Sequence, residues 1–355
     1  MADVRPFRAV TYALHGSPAD LTSKAAPPYD VVDEAQRSAL LAADPDNVVA
    51  LELAEGTLDQ SAFCNRYVTA ATRWRQWLDD GTLVEEAEPA LWVIEQSFVL
   101  HGHPAKRRAV YATVKIEPFS AGVVLPHERT LPKAKADRMA MIRATAANLS
   151  PVVGLYADPT GAAPRALEGT TAGAPTLRAV VEGVEARAWR VTDPAVLRAF
   201  TGALAYRDEQ RAAAGAGPTD PPYDHIMMAL LSMDDPDLVV LPTHRVADAP
   251  GTFDAADFMA RMRELFDMTE IPFDGMIHRL DAHADRPAYL VRVRGDDRLY
   301  LAVLRPEVDL TSAVTAPMCS DWKTLDVAVL QELVLSPLLD IHPDRPETLD
   351  RLTFV

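Results

Sequence analysis

Apolar residues along this chain recur in two rhythms, and the rhythm changes at proline, glycine and Asx residues. Arg5 to Ala13 predicts a first strand. Pro27-Pro28-Tyr29-Asp30-Val31-Val32 predicts an ordered turn, and Asp33 can cap a helix to Ala43. Val48 to Leu53 is an apolar run introduced by Asn47 and predicts a strand. Phe63, Tyr67, Ala71, Trp74 and Leu78 mark one face of a helix that stops at Asp79-Asp80-Gly81. Leu91 to Leu100 and Arg107 to Ile116 predict a hairpin turning at His101-Gly102-His103-Pro104. An apolar run ends at Pro126, and Pro132 opens a helix whose face is Met139, Ile142, Ala146 and Leu149, with Asn148 and Pro151 marking its end.

The second half follows the same logic. Pro151 to Tyr156 predicts a strand, and Asp158 to Pro175 a linker without periodicity. Two short strands are expected over Arg178 to Val191, then helices over Pro194 to Ala214 and Tyr223 to Met233. The second of these would bury Met227, Leu230 and Leu231. Leu238 to Leu241 predicts a buried strand and Phe253 to Met268 an amphipathic helix. A hairpin over Ala288 to Val293 and Leu299 to Leu304 and a helix over Leu325 to Leu339 complete the set. The chain closes on Leu352-Thr353-Phe354-Val355, which predicts a strand with an open edge able to pair with another chain, hence a homo-oligomer. This alternation is that of an α/β (mixed α+β) protein with mixed sheets and flanking helices, in regions 1–157, 176–250 and 251–355.

Composition narrows the class. Lys and Arg number 35 against 51 Asp and Glu, a net charge of −16, which opposes nucleic acid and anionic membranes. The 2 cysteines, Cys64 and Cys319, form no disulfide framework, and Cys64 and the tryptophans beside it are expected in packing. No signal-peptide core or spanning run is visible, so a cytoplasmic location is expected. Neither a GxxxxGK loop nor a GxGxxG turn occurs, so the two common nucleotide cradles are excluded.

Candidate chemistry gathers in two places. His127-Glu128-Arg129-Thr130 sits between an apolar run and a helix start, with Lys133, Lys135 and Arg138 on the first helical turns. Helix N-termini hold anions, and added cations strengthen that. Pro242-Thr243-His244-Arg245 follows an apolar strand, the edge where binding residues gather in α/β sheets, so both clusters are expected to face one cleft. His101 and His103 lack further ligands for a metal site.

Taken in order, several segments resemble the bacterial family called domain of unknown function 1015. They are Pro27 to Val32, Asn47 to Leu53, His127 to Thr130 with Lys135 to Arg138, Ala147 to Pro151, Ala203 to Glu209, Leu241 to Arg245 and Leu325 to Val327. The resemblance implies a ParB/sulfiredoxin-like core and kinship to free-serine kinases. Members usually carry an Ala-Asp-Gly-His-His-Arg-Tyr segment before the helix at Ala203 and a basic segment near the C-terminus. Here Asp193 to Gly202 runs straight into Ala203-Leu204-Ala205-Tyr206, and the basic segment is not in the sequence.

What the resemblance implies is phosphoryl transfer to a small hydroxy compound such as serine, with ADP or ATP and Mg²⁺. Glu128 would be the base with His127 and His244 beside it. Arg129, Thr130, Lys133, Lys135, Arg138, Arg245, Tyr29 and Asp30 would bind substrate or phosphate, and Asp137 the metal. A hydrolytic variant would use the same residues. The alternative is a non-catalytic, ligand-binding or regulatory member.

Overall fold

A computed structural model describes residues 2–15, 18–100, 102–126, 132–158, 160–204, 225–235, 238, 244–251, 253–283, 285–316, 318 and 320–354. The elements are of mixed α/β type, as the alternation of patterns implies. The chain gathers into two compact units that interleave in sequence: Met1–Glu117 with Ala136–Val240, and Pro118–Lys135 with Leu241–Val355.

In the first unit the strands are β1 (Val4–Arg5), β2 (Val10–Tyr12), β3 (Ala19–Asp20), β4 (Leu83–Glu85), β5 (Leu91–Leu100), β6 (His103–Lys115), β7 (Val152–Tyr156), β8 (Leu177–Val181), β9 (Val184–Val191) and β10 (His225–Ser232). An 8-stranded sheet runs β3-β8-β9-β5-β6-β10-β7, with β1 also on β6. The β5–β6 hairpin forms where alternation predicts it, turning at Gly102 with φ +83°. Trp92 and Ala188 pack on one sheet face with Ile94, Tyr111 and Leu177.

The helices of this unit are α1 (Glu34–Ala43), α2 (Val49–Glu52), α3 (Arg66–Asp79), α4 (Pro132–Thr145, belonging here from Ala136 on), α5 (Ala162–Ala166) and α6 (Pro194–Leu204). Asp33 caps α1 as expected, accepting from Gln36 N at 2.8 Å, while the Gln36 side chain accepts from Asp33 N at 2.9 Å. Tyr67, Ala70, Ala140 and Met141 form the core between α3 and α4.

Several expectations are corrected. The run Val48 to Leu53 is not a strand but the short helix α2. Buried Asn47 accepts from Val49 N at 3.0 Å and donates to Ser23 O and Ala25 O, both at 2.8 Å, which starts a turn where an extended chain would continue. Residues expected in a helix from Tyr223 instead form β10, parallel to β7 and antiparallel to β6. Met228 through Ser232 are all buried, so this strand lies within the sheet and shows no alternation. Phe63 is 94% exposed and precedes α3, and Cys64 is exposed as well, because α3 is capped at Asn65 and buries Tyr67, Ala70, Ala71 and Trp77. On α4, Met139 and Ile142 face outward while Ala140 and Met141 are buried. The expected linker contains the short helix α5, nucleated by Asp158, which accepts from Ala163 N at 2.7 Å. Past Leu204, the helix expected to Ala214 lies outside the described residues.

The second unit holds β11 (Arg245–Ala247), α7 (Ala255–Leu265), β12 (Phe266–Ile271), β13 (Ala288–Val291), β14 (Leu299–Leu304) and β15 (Leu352–Phe354). Its main core gathers Phe258, Met262, Phe266, Ala302, Val329 and Ile341. The helix expected over Phe253 to Met268 ends at Leu265, where fully buried Phe266 begins a strand against β14. The last helix forms as Asp326–Leu330, Gln331–Leu335 and Ser336–Leu339, its middle turn of π type. The expected terminal strand also forms, and β15 pairs antiparallel with β11 of its own chain. Among the described residues, no helix is long and apolar enough to cross a membrane.

Candidate functional site

In the first unit one ion cluster collects residues that lie far apart in sequence. Glu52 ends α2, Arg66 and Tyr67 begin α3, Asp137 and Arg138 sit in the second turn of α4, and Ser150 precedes β7. Arg138 donates from Nη1 to Glu52 Oε2 at 2.5 Å and from Nε and Nη2 to Asp137 Oδ2 at 2.9 and 2.6 Å. Its guanidinium carbon lies 3.8 Å from the ring centroid of Tyr29, a stacked cation–π contact. Ser150 Oγ donates to Glu52 Oε1 at 2.5 Å, and Tyr67 OH to Asp137 Oδ1 at 2.9 Å. Arg66 donates to Glu52 O at 2.6 Å and stands 3.8 Å from Asp137 Oδ1.

The cluster is electrically closed: Glu52 and Asp137 face Arg66 and Arg138. Burial pushes the Asp137 carboxyl up, but bonds from Arg138 and Tyr67 outweigh it and hold it below the ordinary aspartate value. Burial raises the Tyr67 phenol, with the bond to Asp137 acting in the same direction. The Tyr29 phenol is raised by burial despite nearby Arg138. Such a closed set ties α2, α3 and α4 to one another.

The structure therefore brings together Tyr29, Asp137 and Arg138 among the residues expected at a site. Asp30 and Lys135 are exposed, and Lys133 falls on α4. Both Asp137 oxygens already accept hydrogen bonds, and two arginines stand beside them. That donor set does not fit a Mg²⁺ ion, which needs oxygen ligands and tolerates no crowd of cations. Among the described residues no group of three or more His, Cys, Asp and Glu could hold a metal. His127, Glu128, Arg129 and Thr130 lie outside the described residues, as do Thr243 and the strand expected up to Leu241 beyond Leu238. His244 is exposed and Arg245 lies on β11 of the second unit, where Arg245 draws down a Tyr289 phenol that burial raises strongly. The Tyr289 hydroxyl donates to Asp326 O at 2.7 Å, so the last of the resembling segments, Leu325 to Val327, touches this spot.

Sequence reasoning did not select Glu52, Arg66, Tyr67 or Ser150. A signal existed for Glu52, a lone carboxylate within an apolar run, and for Ser150, inside a resembling segment. No signal joined Arg66 to them.

Comparison with known proteins yields one match. No curated protein and no solved structure is similar to the chain, whereas the family model described as "Protein of unknown function (DUF1015)" matches residues 4–328. That span includes Tyr29, Glu52, Asp137, Arg138 and Ser150, every resembling segment and parts of both units, and the chain belongs to the DUF1015 family.

Proposed function

We propose that the chain transfers a phosphoryl group to, or removes one from, a small hydroxy compound, with Glu128 as the base that serves the hydroxyl. The observation that supports this reading is the convergence of four resembling segments, through Tyr29, Glu52, Asp137–Arg138 and Ser150, on one buried ion cluster. The cluster holds the beginning of α4, and in sequence α4 starts two residues after Thr130. A loop that carries a base and cations gains from a fixed point of attachment, since phosphoryl transfer depends on positioning and charge. In this reading Arg138 is a positioning residue, its charge already met by two carboxylates, and Arg129, Lys133 and Lys135 are the cations offered to phosphate. Serine is the acceptor that a kinship to free-serine kinases would imply.

Titration calorimetry with ADP, ATP and serine, followed by turnover assays, tests the proposal. Glu128→Gln keeps the shape and removes the base, and turnover is expected to fall by about two to four orders of magnitude. Brisk turnover unchanged by Glu128→Gln would dismiss that choice of base. A second reading, a non-catalytic binding or regulatory member, is favoured by the pairing inside the cluster, where Glu52, Asp137 and Arg138 are already bonded to one another or to Ser150 and Tyr67. Ligand binding without turnover in the unaltered chain would select it.

A further inference from the structure

We infer that a cleft beside this cluster binds the zwitterionic head of an α-amino acid. The cleft is about 410 Å³, at the small end of ligand sites, and lies where α1 and the end of α2 meet the start of α3. Its floor is cationic. The side chains of Arg37 and Arg66 are only 11% and 14% exposed. Each is pinned by a bond to a terminal carbonyl of α2, Arg37 Nε to Leu53 O and Arg66 Nη2 to Glu52 O, both at 2.6 Å. The Arg66 Nε–H is buried without a partner. Its rim is anionic, formed by Glu34 and Glu55, whose side chains are 79% and 81% exposed.

The two charges are close together. Arg37 stands 3.2 Å from Glu34 Oε1 and 3.6 Å from Glu55 Oε1. The glutamates of both pairs are exposed and free to swing into solvent, so a ligand carboxylate can take their place beside Arg37. A simple anion would meet the carboxylates of Asp33, Glu34 and Glu55, and a simple cation would meet two arginines. A molecule with both charges satisfies both walls. Because the walls are a single contact apart, the two charged groups must be carried on one carbon, which is the arrangement of an α-amino acid and not of an ω-amino acid. Gly56 keeps the wall narrow: it holds φ +123°, and a Cβ there would lie 2.5 Å from Cys64 O and 2.8 Å from Arg66 N. The inference names the acceptor class for the transfer proposed above and rests on that reading for its chemistry, though not for its binding.

The test is equilibrium binding to the full chain without nucleotide. The twenty standard amino acids are compared by thermal shift and ligand-observed NMR, and the tightest is set against two analogues, each lacking one charge. For serine these are ethanolamine and 3-hydroxypropionate. Each analogue is expected to bind at least tenfold more weakly than the parent. The double variant Glu34→Gln/Glu55→Gln changes only exposed side chains, so the fold should persist, and it should weaken the parent at least tenfold without weakening the acid analogue. Binding by no amino acid, equal binding of the acid analogue, or an unaffected double variant would each overturn the inference. Amino-acid binding with no phosphoryl turnover would instead sink the transfer reading alone.

Discussion

At the scale of single residues, the chemistry of the first unit rests on how Glu52 and Asp137 share Arg138. Glu52→Gln removes one of two charges from a buried set and leaves Arg138 underpaired, so a loss of about 2 to 4 kcal/mol is expected in urea unfolding. Tyr67→Phe deletes a single donor to Asp137 and should cost about 1 kcal/mol. The pH dependence has a definite sign. The Asp137 carboxyl in the folded chain lies below its ordinary value of 3.8. Its contribution is therefore fully present above that value and is lost as pH falls through the lower, folded value. Urea midpoints measured from neutral pH into acid should fall over that window, and less steeply in Asp137→Asn. An equal slope in the variant would deny Asp137 this role. None of these partnerships was legible in the sequence. Arg138 and Glu52 are separated by 86 positions and Ser150 and Glu52 by 98, and side-chain pairing at that range leaves no local pattern. The sequence did mark Tyr29, Asp137 and Arg138 as members of resembling segments, but as ligand-binding groups and not as partners of one another.

At the scale of elements, the legible ones were those with their own punctuation. Asp33 announced α1, and Asp33→Ala should cost about 1 kcal/mol, seen as a lower melting temperature. Gly56→Ala asks a Cβ to occupy backbone space at a φ that L residues avoid, and should cost about 2 kcal/mol or more. If the variant melts with the parent, the close approach of residues 56 and 64–66 is not a feature of the folded chain. The β5–β6 hairpin was legible from alternation, and the pairing of β13 with β14 from the turn at Gly295. Two elements were misread for one reason. Val49 to Glu52 and His225 to Ser232 are apolar almost throughout, so neither carries a period that separates helix from strand. Asn47 decided the first through bonds that sequence cannot display. Position between two strands decided the second, although Met, Ala and Leu favour helix on their own. The strand at the chain's end was legible as a strand, while its partner, β11, was not.

At the scale of the whole molecule, the net charge of −16 predicts that the chain passes through heparin at physiological salt and does not retard duplex DNA. Retention at that salt would reveal a basic surface that the composition hides. The order of strands carries a further consequence, one of time. β10 lies between β6 and β7, yet it comes last of the three in the chain. Between Lys115, which ends β6, and its register partner His225, 110 positions elapse (225 − 115). At about 5–20 residues per second, a ribosome needs on the order of 5 to 20 s to cross that gap. Throughout the interval β6 shows an unfilled edge of Val110, Ala112 and Val114, and β7, once made, waits for β10, its sheet partner among the described residues. The nascent chain is thus expected to need a chaperone until β10 emerges. Ribosome-bound chains stalled short of residue 225 should be captured by a holdase and cut readily by protease, whereas chains stalled well past residue 232, with β10 clear of the exit tunnel, should resist both.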